Sequence, residues 1–94
     1  MDVWPFGEPE NLATITTTQV MQRGVPILWV SHDADDGSWQ FHTGGPVETA
    51  DALVVSLRSV FRLDPSIGEL ADLPLGWKAW RSAAGEPWQR QPAE

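Results

Sequence analysis

The sequence predicts an α+β domain, built as a small, mostly antiparallel sheet with a central hairpin and two short helices covering one face. Three observations carry that expectation. Two strand-like runs flank an Asp36-Gly37 step, and an Asp-Gly step so placed is the strongest short-range hairpin signal. Two apolar stripes with i, i+3, i+4 spacing follow one another between residues 57 and 71, which is helical periodicity. A tryptophan-rich run at 77–81 then reads as a returning strand. The expected order is β-β-β-β-α-α-β.

The first strand is expected at Thr14-Ile15-Thr16-Thr17-Thr18, β-branched throughout and therefore costly in a helix. Gln19 to Arg23 has room for one turn before Gly24. The hairpin strands run over 26–32 and 38–43, joined by Asp33-Ala34-Asp35-Asp36-Gly37. Alternation puts Trp39 and Phe41 on one face and Gln40 and His42 on the other. Leu53 to Leu57 reads as a buried strand that hands over to a helix, with Leu57, Val60 and Phe61 inward and Arg58 and Arg62 outward. Asp64-Pro65 ends that helix and starts the next, since Asp caps well and Pro suits the first helical position. Pro74 and Gly76 close it.

The chain has 94 residues, enough for a single core, because a chain of this size buries only about 60 to 65% of its unfolded surface. The domain is expected over 14–83, with an N-terminal arm at 1–13 and a C-terminal arm at 84–94, which together are rich in Pro, Gly, Glu and Gln. Trp4, Phe6 and Trp88 lie in or beside those arms. Each would gain about 2 kcal/mol by docking on the domain.

Thirteen acids against six bases give a net charge of −7, a field that repels nucleic acid and anionic membranes. A protein partner, and a basic one, suits that charge. With no cysteine there is no disulfide framework and no thiolate chemistry. The first residues do not read as a signal peptide, and apolar runs such as Ile27 to Val30 are far too short to span a membrane. A cytoplasmic protein is the default expectation.

Chemistry could reside in His32-Asp33-Ala34-Asp35-Asp36-Gly37, an oxygen-rich loop of the kind that holds divalent cations. An EF-hand reading fails, because counting from Asp33 puts Gly44 where a bidentate Glu is needed. A solvated tip whose Asp and Gly residues supply turn geometry is the simpler reading. His32 and His42 point to opposite faces if Asp36 and Gly37 form a two-residue turn, and a five-residue loop would instead set His32 opposite Ser38. Neither register makes a metal pair. No phosphate loop, nucleophile elbow or zinc helix motif occurs, so no enzyme and no cofactor are expected.

The six tryptophans are expected to be mostly core. Trp77 and Trp80, three apart in a strand, face opposite ways, so one of them is a candidate exposed anchor. Asp33, Asp35, Asp36, Glu48 and Asp51 fall in a stretch between Arg23 and Arg58 that contains no base. They form a candidate acidic surface for steering a basic protein, or a merely solvated face.

Thr16 to Val20, Asp36-Gly37-Ser38-Trp39-Gln40-Phe41-His42-Thr43-Gly44, Asp64-Pro65 and Leu73-Pro74-Leu75-Gly76 resemble a small bacterial domain grouped with immunity-protein family number thirty-three. The likeness runs from about residue 14 to 81. It implies an α+β fold and a cytoplasmic, non-enzymatic module that protects cells by binding secreted toxins. The other class left open is a small-ligand-binding or enzymatic domain using the His/Asp hairpin.

Overall fold

The computed structural model describes residues 3–46 and 48–93. One mixed sheet of six strands, in the order β4-β1-β3-β2-β5-β6, forms the scaffold. Its strands are β1 (Ala13–Thr17), β2 (Trp29–His32), β3 (Trp39–His42), β4 (Ala52–Ser56), β5 (Trp77–Trp80) and β6 (Gln89–Pro92). All neighbouring pairs are antiparallel except β1 with β3. Helices α1 (Thr18–Arg23) and α2 (Leu57–Leu63) and a 3-10 helix at Pro65–Leu70 pack on one side.

Local chemistry explains the boundaries. Thr17 ends β1 in extended conformation and caps α1, its hydroxyl accepting from the Val20 amide. Gly24 closes that helix at φ +68, a left-handed conformation that glycine adopts without steric cost. Ser56 does for α2 what Thr17 does for α1, accepting from Ser59 N. Asp64 accepts from the amide and hydroxyl of Ser66, so the Asp-Pro step starts a helix as expected. That helix is 3-10 rather than α.

The β2–β3 hairpin forms, in a register between the two anticipated. Asp33 N donates to Ser38 O and Gly37 N to Asp33 O, leaving Ala34 to Gly37 at the tip and setting His32 opposite Trp39. Asp36 accounts for the difference: its carboxylate caps the Ser38 amide and hydroxyl, which favours the wider turn over a two-residue one.

Val30, Trp39, Phe41 and Ala79 from the sheet meet Val20, Leu57, Val60, Ile67 and Leu70 from the helical side, all fully buried. Trp39 is the central ring. It stacks parallel to His32 at 4.0 Å and to Phe41 at 6.1 Å, and takes Phe6 edge-on at 5.5 Å. Its indole N–H donates to Glu8 Oε2 at 2.8 Å.

Both terminal segments therefore belong to the packed body. Phe6 is 5% exposed, Trp4 N–H donates to Glu8 O, and Leu57 N and Arg58 N donate to Leu12 O and Glu10 O. At the other end, residues read as an arm supply β6, whose composition Gln-Arg-Gln-Pro carries no strand signal. It is held by backbone pairing to β5 and by Arg90, which donates to Asp72 and to Glu69 O. Trp88 lies under the buried Arg81 guanidinium at 4.1 Å, and Arg81 also donates to Ile27 O, Ser66 and Asp64.

Replacing Trp39 by Ala is expected to cost about 3 to 5 kcal/mol, and Phe6→Ala about 3 kcal/mol, as large-to-small changes in a packed core. Urea titration measures both. A loss under about 1 kcal/mol for Phe6→Ala would mean that the N-terminal segment contributes nothing to the core.

Candidate functional site

Strand alternation that sends Val30, Trp39, Phe41 and Ala79 to the helices sends their neighbours to the opposite side, which among the described residues α1, α2 and the Pro65–Leu70 helix leave uncovered. One row across this face reads Val54, Ile15, Gln40, Ser31, Lys78 and Gln91. The next reads His42, Trp29, Trp80 and Gln89. Trp29 and Trp80 are cross-strand partners, both half-buried. Lys78 lies with its ammonium 5.9 Å from the Trp80 ring.

A line of polar side chains crosses the same face. Ser31 Oγ donates to Asp33 Oδ1 at 2.9 Å, and Gln40 Nε2 donates to Asp33 Oδ2 at 2.7 Å. That second bond orients the Gln40 amide, so its Oε1 is an acceptor and His42 Nε2, 2.9 Å away, carries the proton. The neutral ring then has its lone pair on Nδ1, which is buried without a partner. Burial holds the His42 imidazole below its ordinary value near 6.5, and the charge of Asp33 opposes that effect. The ring is 6% exposed and leans on Trp29 at 5.3 Å.

Beside this line, just beyond the end of β3, lie Gly44, at φ +91, and Gly45. The absent side chains leave a cleft of about 320 Å³ lined by Trp29, Gln40, His42, Gly44 and Gly45. An indole wall, an amide and a neutral imidazole suit a guest with an apolar body and a few hydrogen-bonding groups.

The structure distributes the acids singled out from the sequence. Asp33 is engaged by Ser31 and Gln40. Asp35 is exposed at the hairpin tip, and Asp36 is held below the ordinary carboxylate range by the Ser38 hydroxyl and amide. Asp51 accepts from Thr18 and Gln19, while Glu48 is exposed. Glu48 and Asp51 follow the end of β3 whereas the hairpin tip precedes its start, so the acids occupy opposite ends of the sheet. Trp77 packs against the core and Trp80 takes the uncovered face, as their spacing requires.

His32 and His42 do lie on opposite faces. His32 is on the helical side, where Nδ1 donates to Leu73 O and Nε2 sits 3.5 Å from Glu8. Among the described residues no three His, Cys, Asp or Glu side chains gather as a metal site. Trp29, Gln40, His42 and the Gly44-Gly45 pair were not singled out from sequence as one site. The signal was present in the alternation that turns Gln40 and His42 away from Trp39, followed by a Gly-Gly break.

No family model, no curated protein and no solved structure matches the chain. Fold and site together define an α+β domain with one packed and one uncovered sheet face.

Because burial depresses the His42 pKa, the unfolded chain takes up this proton before the folded one does. The stability linked to His42 is therefore complete above about pH 6.5 and declines as pH falls through the folded value. His42→Phe should flatten this part of the profile. Urea midpoints measured between about pH 7.5 and 5 check it, and parallel profiles for parent and variant would refute the assignment.

Proposed function

We propose that the chain is a non-enzymatic protein-binding module whose uncovered sheet face receives a basic protein. The observation that carries this reading is the Trp29/Trp80 cross-strand pair beside an open cleft, on a face that the chain's own helices leave bare. Half-buried tryptophans flanking a pocket are the chemistry of binding hot spots. Net charge −7 supplies attraction for a basic partner, and the exposed acids at both ends of the sheet supply a charged rim.

The likeness of the Asp36 to Gly44 segment to the immunity-protein family supports toxin neutralisation as the sharpest form of this reading. In that form the partner is a secreted toxin and the chain acts by occupying its surface.

A second reading, binding of a small ligand in the cleft, is favoured by the His42–Gln40–Asp33 line. A cavity of this size is at the small end of the range for ligand sites.

The test is capture of a partner from the native cell, followed by binding kinetics. Trp29→Ala and Trp80→Ala should each weaken binding about tenfold or more, mainly through faster dissociation. Asp35→Asn combined with Glu48→Gln should slow association and flatten its salt dependence while leaving dissociation nearly unchanged. Unaltered affinity in both tryptophan variants would remove the uncovered face from the interface.

A further inference from the structure

The two edges of the sheet are chemically unlike. β6 ends in Pro92, which has no N–H, and carries Arg90 and two glutamines. β4, Ala52-Leu53-Val54-Val55-Ser56, has neither charge nor proline, and Val54 at its centre is 73% exposed. Edges left in that state are open to pairing with another strand.

The backbone groups on this edge can be assigned one by one. Leu57 N donates to Leu12 O at 2.8 Å and the Thr14 hydroxyl donates to Val55 O at 3.0 Å, so the odd-numbered residues of this stretch face β1. Alternation turns the backbone of Ala52, Val54 and Ser56 outward. Ala52 N–H is used by Thr49 O, and Ser56 C=O accepts the first bond of α2. The outward groups left are two donors, the amides of Val54 and Ser56, and two acceptors, the carbonyls of Ala52 and Val54. Among the described residues none of them meets a backbone partner on that side.

We infer that this edge pairs with the same edge of a second copy, antiparallel about a two-fold axis at Val54. In that register Val54 N–H donates to the copy's Val54 C=O and Ser56 N–H to the copy's Ala52 C=O, each reciprocated, so every outward group is satisfied. Val54 meets its counterpart on the uncovered face, while Leu53 meets the copy's Val55 on the other. Charge agrees with the orientation. Glu48 and Asp51 precede the strand and Arg58 and Arg62 follow it, so antiparallel pairing sets the acidic flank of one copy against the basic flank of the other. The axis runs perpendicular to the sheet, which places the two uncovered faces side by side. A contact built on five edge residues falls below the roughly 1,200 Å² of standard interfaces, so the dimer is weak and concentration-dependent.

The absence of cysteine makes the test direct. With a short bismaleimide, Val54→Cys should yield covalent dimer at least about tenfold faster than Leu75→Cys, because pairing raises the effective thiol concentration; Leu75 is exposed and remote from β4. Sedimentation velocity over rising concentration should show the parent moving toward dimer. Val54→Lys, which sets like charges face to face, and Val54→Pro, which deletes a donor, should stay monomeric with unchanged circular dichroism. Equal cross-linking rates at positions 54 and 75, or a dimer that survives Val54→Lys, would overturn the proposal.

Discussion

The Trp39 side chain, with no exposed surface, sets a condition that much of the fold satisfies. A buried indole must find an acceptor for its N–H, and here the acceptor is Glu8, 31 residues earlier in the chain. Bringing that carboxylate inward draws in Phe6 and Trp4, which close an aromatic cluster against Phe61 of α2. It also sets a carboxylate oxygen near His32, whose other nitrogen is bonded to Leu73 O. One ring thus ties the N-terminal segment, the hairpin, α2 and the turn before β5 into a single packing unit.

The second constraint is length. A sheet of six strands presents more surface than a few short helical segments can cover twice, and α1, α2 and the 3-10 helix at Pro65–Leu70 place their buried residues on the Trp39 side. The other face must remain compatible with water unaided. It does so with Gln40, Ser31, Lys78, Gln89 and Gln91, among which Trp29 and Trp80 stand half-buried. The polar line from Ser31 to His42 gives this face a defined shape, because each side chain in it is oriented by the next.

What could be read from the sequence was the local pattern. β-branched residues, the Asp-Gly step and the Asp-Pro cap each act through neighbouring residues, so the hairpin, β1 and the helix starts were legible. The register of the hairpin was not, because it is decided by one carboxylate choosing the Ser38 amide. Nor was β6, whose polar residues are held in a strand only by the partner strand and by Arg90. The candidate site was half legible: the opposite orientations of Trp77 and Trp80 follow from spacing alone. Its other members come together through pairings of β2 with β3 and β5, and no local rule encodes which strands become neighbours.

That strand order also governs how the sheet is assembled. The β2–β3 hairpin is a local pairing, yet it becomes the middle of the sheet only when β1 arrives on one side and β5 on the other. β1 then pairs with β4 and β2 with β5 across long intervening segments, so loop-closure entropy is lost before most of the stabilising contacts exist. Topologies with such non-local pairings fold more slowly than helical bundles of similar size. Until β1 and β5 arrive, the β2–β3 hairpin has two bare edges and a tryptophan on each face, so the chain is most open to pairing with its own kind before the sheet is complete.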